Sequence, residues 1–163
     1  LTLACLFTIR VLAGSAAIGG AVSTWLLAFC VFFFLSLALV KRYVELSGQM
    51  ANVNRAVSGR GYQASDLEPL AQAGMTSRFA SVVVLALFID SPLVSQSFSN
   101  PQMIWLVCPL VLYLLMRIWV LARRNEMHDD PVVFLMTDWR SQIMIGIGAV
   151  IMLGSQLLAP WVM

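Results

Sequence analysis

The chain has 163 residues, of which 60 % are hydrophobic and only 11 % charged, with a mean hydropathy of +0.86 and a formal net charge of +2. Soluble domains carry about a quarter charged residues, so this composition excludes a water-soluble globular domain. Apolar windows of about twenty residues recur along it, and the expected fold class is all-α, a polytopic transmembrane helical bundle with lipid as its solvent.

In chain order, a first span over 1–18 contains a single charge, Arg10, and Gly14, Gly19 and Gly20 mark an uncharged turn after it. A second span over 22–43 is nearly all Leu, Phe, Val and Ala; within Trp25 to Val40 the lone polar residue is Ser36, which argues against a soluble bundle with polar stripes. A polar loop over 45–76 follows, holding Arg55, Arg60, Gly61, Tyr62, Asp66 and Glu68. It is longer than a plain helix connection needs, which marks a functional or disordered segment. The third span, 77–90, is interrupted by Asp90-Ser91-Pro92, and a polar linker ends at Asn100-Pro101. The fourth, 103–122, closes with Arg123-Arg124; a second charged loop occupies 125–140; the fifth span is 142–158, with Trp161 as an interfacial anchor. About five spans are therefore expected.

Charge placement orients them. With the spans threaded alternately, Lys41, Arg42, Arg55, Arg60, Arg78, Arg117, Arg123, Arg124 and Arg140 fall on or near one side, whereas 18–23 and 90–102 hold no Lys or Arg. By the positive-inside rule the loops 45–76 and 125–140 are cytoplasmic. Cys5, Cys30 and Cys108 lie singly inside apolar runs with no CxxC spacing, and read as small buried hydrophobes. The chain opens at Leu1, already apolar and without an initiator Met, so it reads as a piece of a longer protein lacking its N-terminal part.

No Walker loop, GxSxG, HExxH or nucleic-acid-binding pattern occurs. The chemistry-bearing residues cluster instead around the end of the second span. Lys41 and Glu45 are four apart on one helix face, with Arg42 beside them. One reading is a snorkelling helix end with an i,i+4 ion pair. The other is a cationic patch for phosphate or pyrophosphate, Lys as a point charge and Arg as a bidentate fork. Arg60-Gly61-Tyr62 forms a turn able to reach back over such a patch. Asp66-Leu67-Glu68-Pro69-Leu70 opens a short helix capped by Ser65 or Asp66, a reading that competes with a metal or substrate role for Asp66. Arg10, deep in a span, calls for a cavity or a partner. His128-Asp129-Asp130-Pro131 reads first as a helix start with Pro in the first turn, and second as a lid.

Arg10-Val11-Leu12-Ala13-Gly14, then Leu35-x-Leu37-x-Leu39-Val40-Lys41-Arg42-Tyr43-x-Glu45-Leu46, then Arg60-Gly61-Tyr62 resemble the UbiA superfamily of intramembrane prenyltransferases. Within it the chain looks most like decaprenyl-phosphate phosphoribosyltransferase-like members, and Glu126 to Phe134 resembles bacterial members fused behind a phosphatase-like domain. The resemblance implies nine transmembrane helices around a cavity, of which the five spans here are helices five to nine, in the bacterial inner membrane. It implies Mg²⁺ held with a diphosphate at an aspartate-rich first motif, absent from this chain, so the enzyme would be incomplete in this fragment. Lys41-Arg42-x-x-Glu45 stands at the second motif, where relatives place Asp-x-x-x-Asp. A Lys in place of a carboxylate removes a metal ligand and supplies charge to a phosphate.

The resemblance thus implies a transferase moving phosphoribose from phosphoribosyl pyrophosphate to a polyprenyl phosphate lipid. Lys41 and Glu45 would be catalytic; Arg10, Lys41, Arg42, Arg60 and Tyr62 would bind phosphate; Glu45 and Asp66 would complete a metal shell. Prenyl transfer from a prenyl-diphosphate donor to an aromatic acceptor such as 4-hydroxybenzoate is the alternative within the family. A transporter or non-catalytic membrane subunit is the alternative of another class. No nucleic-acid partner is expected.

Overall fold

The computed structural model describes residues 23–51, 67–98, 100–124, 126–127 and 131–157, together with the helical positions Leu6, Ile9, Arg10, Ala13 and Gly14. The described residues form seven assigned helices and no strand: α1 Thr24–Ala51, α2 Leu67–Ile89, α3 Pro92–Ser97, α4 Pro101–Ile104, α5 Val107–Arg123, α6 Pro131–Thr137 and α7 Trp139–Leu157. Three stretches are helical, long and apolar enough to cross a membrane: Thr24–Gly48, Leu67–Ile89 and Pro101–Arg123, the last taking in α4, a turn and α5. The described residues are thus all-helical, with three helical stretches suited to cross a membrane. The 19 residues of α7 fall outside that trio because Arg140, Gln142 and Gln156 dilute its apolar run.

The helices do not stop where hydropathy stops. The expected loop over 45–76 is shorter: α1 continues through Lys41-Arg42-Tyr43-Val44-Glu45 to Ala51, and α2 starts at Leu67. Lys, Arg and Glu are good helix formers, so leaving hydrocarbon gives the backbone no reason to unwind. Leu67 does open a helix, but a 23-residue one that runs unbroken into the third span. Glu68 in its first turn suits the positive helix end, and Pro69 is tolerated there because first-turn N–H groups have no intrahelical acceptor. Position 78 consequently lies at the middle of α2, where the sequence alone put Arg78 at the edge of a span.

Proline sets the other breaks. Ile89 ends α2, and Asp90-Ser91 turn the chain into α3 at Pro92; Asn100-Pro101 start α4. The expected loop 125–140 contains α6, which begins at Pro131 as the helix-start reading requires.

α1 and α2 pack antiparallel, and α5 lies across both. Their shared core is Leu37, Val40, Ala71, Leu115, Ile118, Trp119, Ala122 and Met127. A second cluster, Leu85, Ile89, Val94, Ile104 and Cys108, closes the opposite end. Outward faces stay apolar: Phe79, Val83 and Leu87 on α2, and Ile143, Ile147, Val150 and Leu153 on α7, are all exposed. In water such a surface would aggregate; in a bilayer it is solvated. Cys30 and Cys108 are free and buried, as small apolar side chains; Cys5 lies outside the described residues.

Candidate functional site

The core of the bundle carries one polar node joining three helices. Trp119 Nε1 on α5 donates to Ser36 Oγ on α1 at 3.0 Å, and Ser36 Oγ donates to the Gly74 carbonyl on α2 at 3.1 Å. Ser36 is fully buried and Trp119 is 1 % exposed. With no water to replace these partners, each hydrogen bond fixes geometry that apolar contacts would leave free. Gly74 lets the indole sit against the α2 backbone: a Cβ there would lie 1.9 Å from Trp119 Cζ2. Tyr43 packs against the same indole, ring centroids 6.0 Å apart, tying the node to the charged end of α1.

The Ser36–Gly74 contact sets the register of the antiparallel pair, so Lys41 and Arg42 lie level with the first turn of α2. Arg123 near the end of α5 approaches Glu68 at 3.7 Å, which brings a third helix to that end. Arg42 Nη1 donates to Glu45 Oε2 at 3.0 Å, so Glu45 engages the cation three residues before it; the sequence alone pairs it with Lys41. Such accessible pairs are worth about 0–1 kcal/mol, weak enough for a phosphate to displace.

The same end holds a tighter cluster absent from the sequence reading. Arg117 Nη2 donates to Asp138 Oδ1 at 3.0 Å, both side chains 16 % exposed. Asp138 Oδ2 accepts from the Ser141 backbone N–H at 2.9 Å and from Ser141 Oγ at 2.7 Å. Asp138 is thus the N-cap of α7, anchored to α5 through Arg117. Partial burial pushes its carboxyl up, but the two Ser141 hydrogen bonds and the charges of Arg117 and Arg140 outweigh this and hold it below its ordinary value.

Of the residues singled out from sequence, Lys41, Arg42 and Glu45 lie within the last three turns of α1, which continues to Ala51. Arg10 is exposed on a helical stretch. Arg60, Tyr62 and Asp66 lie outside the described residues, as do His128, Asp129 and Asp130. No group of three His, Cys, Asp or Glu side chains among the described residues could hold a metal. Glu45 already faces the Arg42 guanidinium, so the described residues do not fit a magnesium site. Ser36 and Gly74 had a faint signal, one hydroxyl in an apolar run and one glycine inside a helix; Trp119 as their partner, 83 positions from Ser36, had none.

Two curated proteins resemble the chain. It is 42 % identical over 135 residues to "Uncharacterized protein y4nM" of Sinorhizobium fredii, a match covering 82 % of this chain and 26 % of that protein. It is 34 % identical over 143 residues to "Nodulation protein NoeC" of Azorhizobium caulinodans, covering 88 % of this chain and 47 % of that protein. The chain therefore spans about a quarter and about half of the length of these relatives. No family model and no solved structure matches it.

Proposed function

We propose that the chain contributes five of the nine helices of a UbiA-type intramembrane transferase in the bacterial inner membrane, with its charged end cytoplasmic. The reaction is phosphoribosyl transfer from phosphoribosyl pyrophosphate to polyprenyl phosphate. The observation that carries this reading is the register that sets Lys41 and Arg42 of α1 level with the first turn of α2, where Arg123 of α5 approaches Glu68, at one end of membrane-length helices.

A phosphate oxygen of the acceptor attacks the anomeric carbon of the ribose, and the bond from that carbon to the pyrophosphate oxygen breaks. Negative charge grows on the leaving group as it departs. Lys41 supplies a point charge to it and Arg42 a planar fork, the electrostatic share of catalysis. Glu45, 3.0 Å from Arg42, holds that fork in position. Arg60 and Tyr62, which lie outside the described residues, would bind phosphate as the resemblance implies, and Arg10 offers a further cation to phosphate. Mg²⁺, as the resemblance implies it, would be held by carboxylates outside the described residues, with Asp66 a candidate, and would neutralise charge on the pyrophosphate.

The test incubates full-length protein in detergent with labelled phosphoribosyl pyrophosphate and polyprenyl phosphate. Labelled lipid is the expected product, and its absence refutes the phosphoribosyl reading. Lys41→Ala is expected to lower kcat/KM by about tenfold or more, equivalent to about 1.4 kcal/mol of transition-state stabilisation, without loss of helix content. Unchanged turnover removes Lys41 from the site.

A further inference from the structure

Arg78 sits at the middle of α2, is 5 % exposed, and its Nε is buried with no hydrogen-bond partner. Its guanidinium lies over the ring of Phe79, 4.5 Å from the centroid. Elsewhere the described arginine–carboxylate pairs match off at the charged end: Arg42 with Glu45, Arg123 with Glu68, Arg117 with Asp138. None of these carboxylates is left for Arg78. A guanidinium withdrawn from water is strongly unfavourable until an anion joins it.

The surroundings indicate which anion. Arg78 lies four residues beyond Gly74, about 6 Å further from the charged end at 1.5 Å per residue. Long helical side chains lean toward the helix N-terminus, so the guanidinium reaches back toward that end. Ser77 and Ser81 are buried on the same face as Arg78, and Ser81 Oγ donates to the Arg78 carbonyl. Phe79, which covers one face of the cation, is itself 49 % exposed on the outer surface of α2. The charge is thus within reach of the lateral boundary of the bundle, where a lipid arrives along the membrane and a water-soluble anion would have to cross hydrocarbon.

We propose that Arg78 is a docking site for the phosphate of an amphiphilic lipid entering the bundle beside Phe79. On the transferase reading that lipid is the polyprenyl phosphate acceptor. The inference rests on that reading for the lipid's identity alone.

The experiment measures binding of radiolabelled polyprenyl phosphate to full-length protein in an uncharged maltoside detergent, with uncharged polyprenol, phosphatidic acid and inorganic phosphate as competitors. Arg78→Gln is expected to weaken polyprenyl phosphate at least tenfold, while Arg78→Lys, which keeps the charge, loses less. Polyprenol should compete poorly with wild type. Competition by phosphatidic acid identifies a general lipid-phosphate site, and competition by inorganic phosphate an anion site filled from water; the first upholds the proposal and the second overturns it.

Equal affinity of wild type and Arg78→Gln also overturns it, as expected if a carboxylate of a longer chain neutralises Arg78 instead. Should Arg78→Gln not fold, mass spectrometry of wild type treated with phenylglyoxal decides. Polyprenyl phosphate must protect Arg78 and polyprenol must not; equal modification refutes docking. Arg78-dependent binding without transfer would leave this inference standing and remove the transferase reading. Transfer with Arg78-independent binding would do the reverse.

Discussion

Replacing Gly74 by Ala sets two effects against each other. In a water-exposed helix the change gains about 1 kcal/mol, since Ala is the better helix former. Here the new Cβ would lie 1.9 Å from Trp119 Cζ2 and 2.5 Å from Cη2, far inside contact distance. The indole cannot swing clear, because it is 1 % exposed and its Nε1 is held by Ser36. Either the ring moves or α2 moves away from α1 and α5. Overpacking of this kind costs about 1–3 kcal/mol. Moving the ring or the helix also breaks the Trp119–Ser36 and Ser36–Gly74 hydrogen bonds, about 0.6 kcal/mol each between membrane helices. After the propensity gain the net destabilisation is about 1–3 kcal/mol. The assay is reversible unfolding of the full-length protein by dodecyl sulfate in mixed micelles. Gly146→Ala is the control, since a Cβ there meets nothing within 4 Å. Adding Trp119→Leu to Gly74→Ala should recover part of the loss, as the clashing ring atoms are gone. Gly74→Ala as stable as wild type, or as Gly146→Ala, would refute the close approach.

Ser36→Ala leaves the Trp119 N–H buried without an acceptor and is expected to cost about 1 kcal/mol in the same assay; in a Trp119→Phe background the cost should largely vanish, giving a measurable coupling. For Asp138, the folded carboxyl lies below its unfolded value of about 3.9, so its stabilisation is fully present above that pH and is lost as pH falls through the folded value. Wild type should therefore lose stability relative to Asp138→Asn below about pH 4, and parallel pH profiles would contradict the assignment. Asp138→Ala, which also removes the cap of α7, should cost about 0.5–2 kcal/mol more than Asp138→Asn, read by protease resistance of the α6–α7 segment.

The apolar runs were sufficient to establish helices long and apolar enough to cross a membrane, because burial in lipid is a local, additive property of each segment. Pro131 likewise marked a helix start by its own backbone chemistry, whereas Pro92 and Pro101, legible as an interruption and the end of a linker, turn out to open helices as well. The start at Leu67 was legible from its capping residues, but the end of α1 at Ala51 and the unbroken run of α2 from Leu67 into the third span were not, since a helix crossing the hydrocarbon boundary keeps its hydrogen bonds and hydropathy registers no break in it. That extension is what moved Arg78 from the edge of a span to its middle. Which partners meet was decided only by packing: Ser36, Gly74 and Trp119 are spread over 83 positions, and Arg117 and Asp138 over 21. The run around Ser36 shows that a hydroxyl is buried. Only the register of α1 against α2 and α5 determines that an indole and a glycine carbonyl satisfy it, and that no such partner reaches the Nε of Arg78.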